Sequence, residues 1–93
     1  MSAYLVANVR VKDPQKWSAY TKGARGLLEE YGGSLVVFDQ KPTVLVGEDL
    51  GAGLVILEFP SKDILQRWFT SDAYKLLVPI REEGADVTFI AAE

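Results

Sequence analysis

The run from Leu54 to Arg81, LVILEFPSKDILQRWFTSDAYKLLVPIR, constrains this chain more than any other segment. Leu54 to Phe59 is apolar and β-branched enough for a central strand, with Glu58 its only polar member. Pro60-Ser61 ends that strand and opens a helix, Ser61 being a good side-chain cap. Ile64, Leu65, Trp68 and Phe69 then lie along one side of the helix, and Ser71-Asp72 offers a fresh cap for a further helical segment. Pro79 is expected to kink or divide that last piece, because it clashes with the preceding turn and donates no hydrogen bond. The segment draws Glu58, Trp68, Tyr74 and Arg81 into one short region without supplying a catalytic motif.

The remaining elements follow from periodicity. Leu5, Ala7, Val9 and Val11 alternate with Tyr4, Val6, Asn8 and Arg10, the period of two expected of a first strand over Ala3 to Val11. Asp13 caps and Pro14 starts a helix in which Trp17, Tyr20, Ala24, Leu27, Leu28 and Tyr31 recur at helical spacing, and Gly32-Gly33 stops it. Gly23 and Gly26 inside that helix imply either a frayed turn or the close approach of another backbone, and the frayed turn is the preferred expectation. Ser34–Asp39 and Thr43–Gly47 read as two extended pieces around Lys41-Pro42, forming one interrupted strand or a small hairpin. Asp86 to Ala92 closes the chain as a fourth strand. The resulting order, β-α-β-β-α-β, predicts an α+β ferredoxin-like sandwich: one antiparallel sheet with helices on one face, in one domain spanning 1–93.

That arrangement leaves the second face of the sheet bare, so this face is expected to be polar. The strands are instead apolar on both parities: Leu5 with Val6, Val36 with Val37, Ile56 with Leu57, Phe89 with Ile90. A layer is missing from the monomer, and pairing of the open face with a second copy is the simplest way to supply it. A sheet-covering partner of different sequence is the alternative.

Composition excludes more than it suggests. A chain of 93 residues buries only about 60–65% of its unfolded surface, which allows one modest core. The 48% hydrophobic and 25% charged content is that of an ordinary globular protein, and a net charge of −3 gives no electrostatic reason to meet nucleic acid or an anionic membrane. No apolar run reaches the length of a membrane span, and the start MSAYLVANVR lacks the basic region and apolar core of a secretory signal, so a cytoplasmic location is expected. There is no cysteine and no histidine. This removes disulfides, thiolate and imidazole metal sites, a Ser-His-Asp triad and the usual haem ligand, so no metal and no cofactor are expected. Acid–base chemistry would fall to perturbed carboxylates, tyrosine, lysine or the substrate itself.

Arg81 is the first candidate site residue. Tyr74, Leu77, Val78 and Arg81 share one helical side, which puts a permanent charge beside an apolar stripe and calls for an anionic partner. That partner is either Glu58 or an acidic loop residue in a structural ion pair, or a ligand carboxylate or enolate. Glu58 carries the same ambiguity: within an apolar strand it is a candidate general base, and beside arginine it is half of an ion pair. Arg81, Glu58 and Tyr74 therefore stand as candidate catalytic groups. Trp68, Ser71, Tyr20 and Asn8 stand as candidate ligand-binding groups, the aromatics for a flat ligand and Tyr hydroxyls for a carbonyl or phenolate. For Trp17 and Tyr20 a plain core role is the competing reading, and for Asn8 and Arg10 it is hydrogen bonding across a dimer interface.

Taken together, Tyr20, Gly32-Gly33, Gly47, Glu58-Phe59-Pro60-Ser61, Trp68, Ser71 with Tyr74, and Arg81 resemble the small bacterial family named domain of unknown function 1330, in the dimeric α/β-barrel superfamily. The resemblance covers essentially the whole chain. It implies a ferredoxin-like fold that pairs sheet to sheet, and no established activity. The wider superfamily holds cofactor-independent monooxygenases, muconolactone isomerases, and chlorite dismutase-like and haem-degrading proteins, which use the space between sheet and helices. Where those rely on histidine, this chain departs from them. Two expectations of function follow: a small organic ligand, anionic or aromatic, bound between sheet and helices and turned over without a cofactor, or a non-catalytic dimeric module.

Overall fold

A computed structural model describes all residues, 1–93. The elements are β1 (Ala3–Val11), α1 (Pro14–Glu30), β2 (Ser34–Asp39), β3 (Gly53–Phe59), α2 (Lys62–Thr70), α3 (Asp72–Lys75), α4 (Val78–Gly84) and β4 (Ala85–Ala92). The four strands form one antiparallel sheet in the order β2-β3-β1-β4. This is the ferredoxin-like fold, with the helices on one face.

Local chemistry explains each helix boundary. The Asp13 carboxylate accepts from the N–H groups of Gln15 and Lys16 at 3.1 and 3.2 Å, and Pro14 occupies the first helical position, where no N–H is needed. The α1 helix ends at Gly32, whose φ of +72° turns the chain toward β2. Ser61 caps α2 by accepting from the Ile64 N–H at 3.2 Å. Ser71 closes α2 and opens α3 together: its hydroxyl donates to the Trp68 carbonyl at 2.8 Å and accepts from the Tyr74 N–H at 3.1 Å. Pro79 starts α4 after a break at Leu76 and Leu77, so the helical segment is divided, as the proline requires.

Register assigns the sheet's faces. Ala3, Leu5, Ala7 and Val9 are buried beneath the helices, and their β3 partners Phe59, Leu57, Val55 and Gly53 share that face. Tyr4, Val6 and Asn8 pair with Glu58, Ile56 and Leu54 on the opposite face. The core joins the inner face to Tyr20, Leu27 and Leu28 of α1, Leu65 and Trp68 of α2, Tyr74 and Ala85. The molecule measures 33 × 31 × 15 Å, a slab too thin for a third layer, so nothing covers the outer face. No helix is long and apolar enough to cross a membrane.

Two sequence expectations are corrected. Thr43–Gly47 forms no strand: between β2 and β3 the chain is irregular, because Pro42 offers no N–H to a ladder and Gly47 adopts a φ of +100°. Only Ser34–Asp39 pairs, with a bulge between Leu35 and Val37. Helix α1 is also continuous through Gly23 and Gly26, with no frayed turn. A β-carbon at Gly23 would lie 2.8 Å from a Leu77 methyl, so this glycine admits a neighbouring side chain, while Gly26 faces open space. The close backbone approach occurs at Gly84, where a β-carbon would stand 2.8 Å from the Trp17 nitrogen and 3.0 Å from its Cα.

Candidate functional site

A cavity of about 130 Å³ lies between α1 and the inner face of the sheet. Helix α1 contributes Trp17, Tyr20, Thr21, Ala24, Arg25 and Leu28; the strands contribute Leu5, Ala7, Val9, Leu35, Phe38, Val55, Leu57 and Phe89; α2 contributes Trp68. The hollow exists because small residues meet where a core would otherwise close, with Ala24 on the helix wall and Ala7 on the sheet wall. Leu35 and Phe38, 43% and 54% exposed, line the β2 side, so the cavity opens there. A wider, more polar hollow adjoins it and shares Val9, Trp17, Thr21, Phe38 and Val55.

Beside the cavity runs a buried polar chain. The Tyr20 and Tyr74 hydroxyls lie 2.8 Å apart, and Arg81 Nη1 donates to the Tyr74 oxygen at 2.9 Å. Each phenol has one proton. Whichever tyrosine donates to the other, the second phenolic proton has no protein acceptor. The indole N–H of Trp68 and the Nε–H of Arg81 are likewise buried and unpartnered. Three buried donors without acceptors therefore cluster around Tyr74, whose ring centroid is 4.7 Å from that of Trp68 and 5.8 Å from the Arg81 guanidinium. An unpaired buried donor costs about 1–3 kcal/mol, so the cluster favours any ligand that brings acceptors.

Electrostatics point the same way. None of the four ion pairs involves Arg81. Its guanidinium is instead surrounded by the rings of Phe89, Tyr74 and Phe69 at 5.4, 5.8 and 5.9 Å, which offset part of its charge through their negative faces. Burial raises the pKa of Tyr20, and the neighbouring Tyr74 adds to the rise while Arg81 opposes it. Tyr20 thus stays protonated and serves as a hydrogen-bond donor rather than a base.

The site residues anticipated from sequence fall into two places. Tyr20, Trp68, Tyr74 and Arg81 come together on the helix side. Glu58 does not join them: it sits on the outer face, half-buried, and accepts from the Tyr4 hydroxyl at 3.1 Å, which raises the Tyr4 pKa. The expected Glu58–Arg81 ion pair is absent because the sheet separates them. Asn8 is also on the outer face, and Ser71 commits its hydroxyl to capping. Arg10 ties the β2–β3 loop down by donating to the Leu50 carbonyl at 2.7 Å. Sequence reasoning placed Ala24 on the inner stripe of α1 without giving it a role, and missed Thr21 and Arg25, whose signal was their helical spacing from Trp17 and Leu28 along the border of that stripe.

The model of the family described as Domain of unknown function (DUF1330) matches residues 2–93. The chain belongs to this family. Among solved structures, this family member is similar to a protein of unknown function from Rhodopseudomonas palustris, at 20% identity and a TM-score of 0.82, covering 97% of this chain and 79% of the other. It is similar also to a cofactor-independent oxygenase from Streptomyces nogalater, at 12% identity and a TM-score of 0.68, covering 99% and 91%. A third likeness is to a candidate antibiotic biosynthesis monooxygenase from Caulobacter crescentus, at 16% identity and a TM-score of 0.59, covering 97% and 86%. At these identities the likeness is one of fold. No curated protein matches the chain in sequence.

Proposed function

We propose that this protein binds a small aromatic ligand bearing a carbonyl or phenolic oxygen in the cavity between α1 and the sheet, and acts on it without a cofactor. The observation that carries this reading is the pair of cavity-lining residues with unsatisfied buried donors, Trp68 through its Nε1–H and Tyr20 through the phenolic proton left over in its pair with Tyr74, while Arg81 stands behind that pair and donates to the Tyr74 oxygen. Such donors stabilise an enolate or phenolate more than its neutral parent, because charge-assisted hydrogen bonds are the stronger. No carboxylate lines the cavity and the chain has no histidine, so an acidic C–H or O–H on the ligand is the source of the anion. With dioxygen, a CH₂ beside the carbonyl would become C=O while the second oxygen atom leaves as water. The fold shared with a cofactor-independent oxygenase supports this chemistry.

The lack of a base in the cavity favours a second reading, a dimeric module that binds such a ligand and releases it unchanged. Both readings are tested together. Binding of 4-hydroxyacetophenone, followed by calorimetry, is expected to weaken about fivefold to tenfold in Trp68→Phe, while ethylbenzene binds both proteins alike. Equal loss for both compounds would mean that Trp68 only packs. Protein-dependent oxygen uptake with phenylacetone, a single-ring ketone with a CH₂ beside its carbonyl, would establish the enzyme. Binding without uptake across enolisable aryl ketones would leave the binding module. In either case we propose that the outer sheet face pairs with a second copy of the chain.

A further inference from the structure

Thirteen of the fifteen residues around the cavity are hydrophobic, and the other two are Thr21 and Arg25. Thr21 donates its proton to the Ser18 carbonyl at 3.0 Å, so it can only accept. Arg25 is then the one charged side chain on the cavity wall. It is exposed, and it takes part in none of the ion pairs or ring contacts that engage other cations of the chain. Its position is not that of an ordinary surface arginine. Trp17, Tyr20, Ala24 and Leu28 form the stripe of α1 that faces the sheet, and Arg25 falls beside it, next to the small Ala24 that opens the hollow.

We propose that Arg25 selects ligands by their carboxylate, and that the natural ligand is a single-ring aromatic acid. The proposal rests on the cavity-binding reading above and names its substrate class. Volume sets the apolar part: about 130 Å³ is close to the roughly 150 Å³ of an apolar protein cavity that admits benzene. Charge sets the polar part. A guanidinium matches a carboxylate with two parallel hydrogen bonds, and no acidic residue on the cavity wall competes for it. In the adjoining hollow, Arg10 is held by the Leu50 carbonyl, and the Asp39 carboxylate accepts from the Lys41 backbone N–H at 2.9 Å. The two polar ends of the ligand are thus read by different groups: an oxygen by Tyr20 and Trp68 inside, the carboxylate by Arg25 at the rim.

The chain's two tryptophans, Trp17 and Trp68, both line the cavity, so intrinsic fluorescence reports its occupancy. The test compounds are 4-hydroxybenzoate, 4-hydroxyphenylacetate and 3-(4-hydroxyphenyl)propanoate, each paired with its primary amide. At least one acid is expected to bind about tenfold more tightly than its amide, with the gap closing to about twofold in Arg25→Gln and partly restored in Arg25→Lys. Equal affinity within all three pairs, or a preference that survives Arg25→Gln, overturns the role of Arg25 while leaving cavity binding standing. A panel in which neither acids nor amides bind overturns both.

Discussion

Tyr20 is where the physical chemistry of the site is most easily measured. Its hydroxyl is buried against Tyr74, and burial raises its pKa above the ordinary 10.0. The sign of the consequence is fixed by linkage. Below pH 10 the group is neutral in both folded and unfolded chains; above it the unfolded phenol ionises while the folded one does not, so stability is lost as pH rises. Tyr20→Phe removes that contribution. Urea unfolding at about pH 9 and about pH 11 is expected to show a shallower decline for the variant than for the parent, and parallel declines would show that Tyr20 ionises freely in the fold. Tyr20 and Tyr74 could be picked out from their helical spacing, but the 2.8 Å bond between them joins residues 54 positions apart, and no periodicity encodes it.

Among the helices, α1 and α4 share the most extensive contact, and Gly84 lets them approach closely. It is the last residue of α4 and is buried, and its missing β-carbon lets it lie against the Trp17 backbone, while its carbonyl accepts from the Lys12 and Asp13 N–H groups at 2.8 and 3.0 Å. Gly84→Ala would place a carbon 2.8 Å from the Trp17 nitrogen, where backbone cannot give way cheaply. A loss of about 1–3 kcal/mol in urea unfolding is expected, with Trp17 and the cavity wall displaced. A neutral substitution would show that α4 can shift without cost. Helix starts at Asp13, Ser61 and Ser71 were legible because a cap is a local event. The missing strand at Thr43–Gly47 was not, since Thr43, Val44 and Val46 have strand-forming side chains, and it is the backbone at Pro42 and Gly47 that keeps the segment out of the sheet.

The whole molecule exposes 6110 Å², against about 5,400 Å² expected of a folded monomer of 10.3 kDa. The excess of about 700 Å² approaches the roughly 800 Å² that each partner buries in a standard interface. Val6, Leu54, Ile56 and Ile90 lie on the bare face with Tyr4, and Ile90 is 54% exposed. Ile56 sits in register between Val6 and Val37, near the middle of that face. Light scattering is expected to give twice the 10.3 kDa chain mass for the parent and the single chain mass for Ile56→Asp, which would bury a carboxylate without a partner. A monomeric parent would end the proposal that a second copy covers the sheet.

By itself, the sequence determined the order of the strands and the two major helices, the helix starts, the apolar character of both sheet faces and the exclusion of imidazole and thiol chemistry. These are properties of single elements: alternation, helical spacing and capping act over a few residues, and composition acts over none. Tertiary structure alone decided that Glu58 and Arg81 lie on opposite sides of the sheet, that Arg81 is ringed by aromatics rather than paired with an acid, and that Arg25 stands at the rim of a cavity. A pattern places a side chain on one face of its own element. Which side chains of different elements meet depends on how those faces pack, and that is settled by shape and volume across the whole chain.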